Sequence, residues 1–121
     1  MTDVTKQVIV MRSDLNMRKG KCIAQGSHAS MAFLTKNYPR QLSEIQKEWL
    51  ENSFTKICVK VQSEQELLDI EKRAIENNIE CHVITDNGKT EFDGVPTKTC
   101  LALGPDKSSV LDKITGHLSL W

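Results

Sequence analysis

The chain lacks any run of about 18 apolar residues, which is the length that a membrane-spanning helix requires. Its first six residues also lack the apolar stretch of a signal peptide. The four cysteines lie far apart and form no C-x-x-C pair, so neither a disulfide framework nor a zinc site is indicated. We therefore expect no membrane partner, reduced thiols and a cytoplasmic location.

Several kinds of catalytic group are missing as well. No cysteine or serine lies in a motif that would activate it as a nucleophile. No group of His, Cys and Asp has the spacing of metal ligands, so we expect neither a metal nor another cofactor. There are no repeats, linkers or low-complexity tracts, and 121 residues fit a single core. Residues 1–121 are therefore interpreted as one domain.

The net charge of zero hides an uneven distribution of charge. Residues 1–40 contain seven basic and two acidic side chains, and the rest of the chain carries the compensating acidic excess. A basic patch in the first third of the chain is suited to gripping a few phosphates. The alternative is an accidental asymmetry of solvated surface charge.

Hydrophobic patterns predict an α/β domain with the element order β-α-α-β-α-β-β-α. The predicted strands cover residues 7–11, 55–61, 81–85 and 99–103. Strands three and four are joined without a helix, so that pair is expected to be antiparallel. The prediction is a single domain with a mixed four-stranded sheet and helices on both faces.

The helices are predicted from apolar stripes, from capping residues at their ends and from the prolines and glycines that interrupt them. The first covers residues 19–36, and Pro39 introduces a second whose apolar stripe is Leu42, Ile45, Trp49 and Leu50. A capping box at residues 63–66 begins the third, with Ile75 among its inward-facing residues. Gly104-Pro105 is expected to end strand four, and Asp106 to cap a last helix that stops at Gly116.

One helix face and one loop carry the residues suited to chemistry. Lys21, Gln25 and His28 have the i, i+4, i+7 spacing of one face, with small residues around them. Asp86 directly follows a strand, at the kind of position where sites form in α/β sheets. Lys89, Thr90 and Thr99 are expected nearby. This set favours attack by water on a carbonyl rather than covalent catalysis.

Each of these residues also has a structural interpretation. Asp86 precedes Asn-Gly and is suited to an Asx turn. A helix-face histidine such as His28 is more often a surface residue with a neighbouring partner than a functional one. The lysines are equally consistent with solvated side chains.

The combination of sequence blocks resembles a known family. The segment from Val8 to Ala29 is similar to the opening of the type 2 peptidyl-tRNA hydrolases, the class typical of archaea and eukaryotes. Residues 55–61, 86–90, 99–105 and 112–118 agree with that family in order and spacing. Departures include Asn87, where alanine is usual, and a loop one residue longer before Thr99.

The resemblance implies a small α/β enzyme, often a homodimer, that cleaves the ester joining a peptide to tRNA. It implies that the residues in or beside the active centre are Lys21, His28, Asp86, Thr90 and Thr99. The substrate-contacting positions that it implies are Lys19, Gln25 and Lys89. From their charge, Arg12 and Arg18 are expected to join Lys19 and Lys89 on phosphates of the acceptor end.

The mechanism expected for this set is attack by a water molecule that Asp86 orients and deprotonates, either directly or through His28. Lys21, Thr90 and Thr99 would stabilise the negative charge on oxygen. Two alternatives remain open: a non-catalytic RNA- or protein-binding domain of the same fold, and a hydrolase of another acyl ester such as D-aminoacyl-tRNA.

Overall fold

The computed structural model describes residues 3–36, 38–39 and 41–121, which form one α/β domain. Its strands are β1 Thr5–Arg12, β2 Lys56–Val61, β3 Cys81–Asp86 and β4 Thr97–Lys107. Its helices are α1 Lys19–Thr35, α2 Glu44–Glu48, which continues as a π-helical turn Trp49–Ser53, α3 Glu64–Glu76 and α4 Ser108–Thr115. The predicted order of elements is confirmed.

The four strands form one mixed sheet in the order β2-β1-β4-β3. β1 pairs in parallel with β2, whereas β4 lies antiparallel to both β1 and β3. The expected antiparallel pairing of the last two strands is therefore correct. β1 and β4 occupy the centre of the sheet, which explains their apolar sequences, since central strands are covered on both faces.

Helices cover both faces, as predicted. α3 and α4 pack on one face through an aliphatic core that includes Leu67, Ile70, Leu111 and Ile114. α1 covers the other face, where Met11, Cys100 and Ala102 form a smaller cluster. Several of the small residues that the sequence places around the polar face of α1 are buried against the sheet. The buried small residues of α1 are Gly26, Ala29 and Ala32.

The second helix begins and packs differently from the prediction. Ser43 and Gln46 form a capping box, so α2 starts after Ser43 rather than at Pro39. Only Trp49 of the predicted apolar stripe is buried. Its ring meets the ring of Phe33 edge-on, with the ring centroids 5.8 Å apart. This contact fixes the second helical segment against α1.

The third helix shows half of its predicted capping box. The Ser63 hydroxyl accepts the amide N–H of Glu66 at 3.1 Å, as expected. The Glu66 carboxylate, however, accepts the amide N–H of Gln62 at 2.7 Å instead of that of Ser63. Ile75 was predicted to face inward, but it is 64% exposed, because it lies off the face formed by Leu67.

Gly104-Pro105 does not end β4, contrary to the prediction. The strand continues to Lys107. Its pairing with β1 is irregular near this point, and the irregularity accommodates the additional residues of β4. Gly104 adopts a positive φ of 85° and donates its N–H to the carbonyl of Glu80 at 2.8 Å. Asp106 does not cap α4, whose N-cap residue is Lys107. The helix ends at Gly116, as expected.

Two further structural findings concern membrane-spanning helices and the cysteine thiols. Among the helices of the residues described, none combines the length and apolar character needed to cross a lipid bilayer. All four cysteines are free thiols, and three of them, Cys58, Cys81 and Cys100, lie in strands as predicted.

Candidate active site

The face of α1 predicted from the i, i+4 spacing meets the end of β3. Lys21 Nζ donates to Asp86 Oδ1 at 2.9 Å, and Gln25 Nε2 donates to the same oxygen at 3.3 Å. The side chains of Lys21 and Asp86 are 14% and 10% exposed. The ion pair is therefore largely shielded from water while remaining open on one side.

A tight loop fixes the carboxylate from its other side. Asp86 Oδ2 accepts the N–H of Gly88 at 3.0 Å, and Asn87 Oδ1 accepts the N–H of Lys89 at 2.9 Å. Asp86 is thus an Asx-turn residue, as its structural interpretation predicted, and it is also the ion-pair partner of Lys21. The contribution of Asn87 was missed, although Asp-Asn-Gly is itself a turn signal.

Gly88 is required by the shape of this loop. Its φ is +83°, and a Cβ at this position would lie 2.4 Å from the carbonyl oxygen of Val95. Because that contact involves backbone, no larger residue fits without moving the loop. The glycine therefore sets where the Asp86 carboxylate points.

Thr99 contacts Gln25 and does not lie at the open face of the site. Its side chain is fully buried, and its hydroxyl donates to Gln25 Oε1 at 2.5 Å. The thiol of Cys100 donates to the carbonyl of Gln25 at 3.4 Å. Burial raises the pKa of Cys100 to about 12, so the thiol remains protonated. These contacts hold the Gln25 amide so that its N–H points at Asp86.

The environment of Asp86 favours its charged form. The hydrogen bond from Lys21 lowers the pKa of the Asp86 carboxyl, and burial opposes that effect. The N–H of Gly88 and the positive charges of Lys21 and His28 lower the pKa further. Asp86 is consequently ionised at neutral pH and is a weaker base than an ordinary aspartate.

His28 and Thr90 provide the accessible polar groups beside this carboxylate. The His28 side chain is exposed, and none of the residues that the structure describes holds its imidazole by a hydrogen bond or ion pair. Thr90 Oγ1 accepts a hydrogen bond from Lys21 Nζ at 2.6 Å. The Thr90 hydroxyl hydrogen therefore stays available for another acceptor.

The predicted phosphate-binding residues differ in how far their charged groups are already paired. Arg12 is occupied, because it donates to both carboxylate oxygens of Asp14 and to the carbonyl of Lys98 at 2.9 Å. Arg18 is 84% exposed and forms an ion pair with Glu91, a partner that the sequence did not indicate. Lys19 and Lys89 are exposed, and no described residue pairs with either ammonium group.

The N-terminus of α1 adds a positive partial charge to this region. Arg18 is its N-cap residue, no side chain caps it, and its first turn contains no acidic residue. The amide N–H groups of that turn therefore remain free for an anion. Within residues 3–36, 38–39 and 41–121, no group of three or more His, Cys, Asp or Glu side chains is arranged to hold a metal ion.

Fold and site together define a small α/β protein with a carboxylate, an ammonium group and an imidazole at the edge of a mixed sheet. The sequence model described as Peptidyl-tRNA hydrolase PTH2 matches residues 5–121. The chain belongs to this family. The resemblance stated from its sequence blocks is therefore confirmed.

Individual relatives agree with that assignment. A peptidyl-tRNA hydrolase of Methanocaldococcus jannaschii is 45% identical over 118 residues, which cover 95% of this chain and 98% of the relative. One of Nanoarchaeum equitans is 43% identical, covering 98% of this chain and all of the relative. A solved Agrobacterium tumefaciens protein of unknown function has a TM-score of 0.61 at 15% identity, with 100% and 99% of the two chains covered. That structural likeness supports the fold alone.

Proposed function

We propose that this protein hydrolyses the ester bond between a peptide and tRNA, releasing free tRNA. Membership of the PTH2 family and relatives named peptidyl-tRNA hydrolase over nearly the full chain support this activity. The single structural observation that carries the chemistry is the Lys21–Asp86 pair beside the accessible imidazole of His28.

Asp86 is assigned the role of orienting water rather than that of the final base. Its carboxylate is fixed by Lys21, Gln25 and the N–H of Gly88, and its lowered pKa weakens it as a proton acceptor. An imidazole is suited to accept and return a proton near neutral pH. His28 therefore takes the proton of the attacking water in this proposal.

The bond changes balance without a covalent intermediate. The water oxygen bonds to the ester carbonyl carbon while His28 takes one proton. The tetrahedral intermediate then expels the ribose oxygen, which receives that proton from His28. The products are a peptide carboxylic acid and a tRNA with a free hydroxyl.

The negative charge on the carbonyl oxygen is stabilised by Lys21 and Thr90. Lys21 has three N–H donors and uses two of them on Asp86 and Thr90, so one remains for the oxyanion. The Thr90 hydroxyl supplies a second donor. Thr99 was expected to contribute here, but its buried hydroxyl is directed to Gln25, so we assign it a positioning role.

The tRNA backbone is assigned to the basic end of α1. Lys19 and Lys89 have free ammonium groups there, Arg18 is exposed, and the first-turn amides are uncapped. Such contacts position the substrate without reading its sequence. Arg12 is left out of this set, because its guanidinium is directed to Asp14 and Lys98.

The decisive experiment compares two substrates with the purified protein. N-acetyl-aminoacyl-tRNA should be cleaved to the N-acetyl amino acid and tRNA, whereas free aminoacyl-tRNA should be a much poorer substrate. Binding of both without cleavage would support the non-catalytic alternative. Preference for free D-aminoacyl-tRNA would support the other ester hydrolase.

The homodimer implied by the resemblance is also proposed here, together with the cytoplasmic location. Light scattering across a concentration series tests the first of these: a mass near twice that of the 13.7 kDa chain is expected.

A further inference from the structure

A groove runs along the β3 side of α1 and begins at His28. Its volume is about 340 Å³, and its walls are Met31, Ala32, Thr35, Lys36, Ile84 and Thr85. Ile84 and Thr85 are consecutive strand residues, whose side chains point to opposite faces of the sheet. A groove that touches both of them therefore follows the edge of β3.

The groove borders the candidate active site at His28. Thr85 immediately precedes Asp86, and His28 both lines the groove and lowers the pKa of Asp86 through its charge. A second groove, lined by residues such as Cys22, Gly26 and Ser27, lies on the other side of α1. α1 separates that second groove from Asp86.

The groove and the basic residues lie in opposite directions from the site. Lys19 is the first residue of α1, and Thr35 is its last. At 1.5 Å per residue, Lys19 lies about 14 Å before His28 along the helix, and Lys36 lies about 12 Å after it. The site thus lies between a cationic end and a groove whose lining is uncharged apart from His28 and Lys36.

The substrate of the proposed function has two branches at its ester carbonyl. One branch, through the ribose oxygen, carries phosphates, and the basic end of α1 is suited to it. The other branch carries the peptide. We propose that the groove between α1 and β3 holds the C-terminal residues of that peptide.

The chemistry of the groove suits peptides of varied sequence. Met31 is an unbranched, adaptable apolar side chain that contacts many shapes. β3 is an edge strand, so its outer backbone groups can bond to a peptide main chain whatever its side chains are. About 12 Å of groove accommodates roughly three extended residues at about 3.3 Å each.

This proposal rests on the proposed function, and one substrate series tests both. The series is N-acetylated aminoacyl-, dipeptidyl-, tripeptidyl- and tetrapeptidyl-tRNA with the same tRNA. For the unmodified protein, kcat/KM should rise with length up to about three residues and then level off.

Two variants of α1 make the test specific. Thr35→Trp fills the far end of the groove at an exposed position in the last helical turn. Ser27→Trp is the matched control, because Ser27 is exposed and lines the other groove. Thr35→Trp should lower kcat/KM about tenfold for the two longer substrates and less than twofold for the aminoacyl substrate, whereas Ser27→Trp should preserve the dependence on length.

The outcomes separate the two proposals. A flat dependence on length in the unmodified protein, or an equal effect of Thr35→Trp on all four substrates, overturns the groove assignment alone. Failure to cleave any member of the series overturns the proposed function and the groove assignment with it. Circular dichroism of each variant verifies that the fold is retained.

Discussion

Lys21 and Asp86 are 65 residues apart in the chain, and their charged groups meet at 2.9 Å. The same ammonium group also bonds to Thr90, so it links the helix face to two points of one loop. A single side chain therefore both lowers the pKa of the carboxyl group and supplies a donor toward the proposed substrate.

The first prediction concerns Lys21 itself. Lys21→Met keeps the length of the side chain and removes its charge and its donors. Loss of one oxyanion donor typically lowers turnover by ~10²- to 10³-fold, so kcat for N-acetyl-aminoacyl-tRNA should fall by that amount. Lys113→Met changes an exposed lysine of α4 and serves as the control. A turnover within twofold of the unmodified protein would remove Lys21 from the mechanism.

The second prediction concerns pH. Because the pKa of Asp86 is lower in the folded protein, its ionisation stabilises the fold above the unfolded pKa of about 3.9. That contribution is lost as the pH falls through the folded pKa. The unfolding free energies of the protein and of Asp86→Asn, measured by urea titration, should therefore differ most near neutral pH. Their difference should shrink below pH 4, and a constant difference across this range would contradict the ion-pair argument.

The third prediction separates positioning from packing. Thr99→Val is nearly isosteric and leaves the side-chain amide oxygen of Gln25, Oε1, without its donor. The free energy of unfolding should fall by about 1–3 kcal/mol, and kcat should fall because the Gln25 amide is no longer fixed. Thr115→Val removes another buried hydroxyl, which bonds to Leu111 in α4. It should lower stability with kcat unchanged; equal effects of both variants on kcat would contradict the positioning role.

The fourth prediction compares two glycines of the loop. Gly88 and Gly94 both have positive φ, but only a Cβ on Gly88 would collide with backbone. Gly94→Ala should lower the free energy of unfolding by about 1–2 kcal/mol through backbone strain alone. Gly88→Ala should cost more and should also reduce kcat, because the loop that orients Asp86 must move. Thermal unfolding and turnover assays measure both effects, and similar kcat values for the two variants would be inconsistent with this role of Gly88.

The fifth prediction concerns salt. If phosphates contact Lys19 and Lys89, log kcat/KM should fall linearly with log salt concentration under subsaturating substrate. Lys19→Gln and Lys89→Gln should each reduce the slope by roughly 0.7–0.9. Lys113→Gln, distant along the chain on α4, should leave the slope unchanged. An unaltered slope in both of the first two variants would exclude them as phosphate contacts.

Much of the fold followed from patterns that depend on near neighbours in sequence. The strand predicted over residues 55–61, the Ser63 cap and the helix end at Gly116 were each inferred from patterns within a few residues. Some of the errors arose where distant parts of the chain meet. β4 continues past Gly104 because the amide of this residue finds the Glu80 carbonyl, which the local Gly-Pro signal cannot reveal.

In the candidate site, too, features set by near neighbours were predicted, whereas features set by distant contacts were missed. The shared face of Lys21 and Gln25 follows from helical spacing, and both reach Asp86. The inward direction of Thr99 and the hydrogen bond from Arg12 to the carbonyl of Lys98 did not follow from any local signal. The direction of each side chain depends on which face of its strand packs against another part of the fold.

The sequence by itself determined the element types, the mixed sheet, the family and the residue kinds available for chemistry, because periodicity and motif spacing encode these locally. Tertiary structure decided which hydroxyl remains accessible, which arginine is already hydrogen-bonded and which groove beside α1 includes His28. These depend on distances between residues far apart in the chain. Such distances are fixed only when α1 packs on the sheet and brings Lys21 to Asp86.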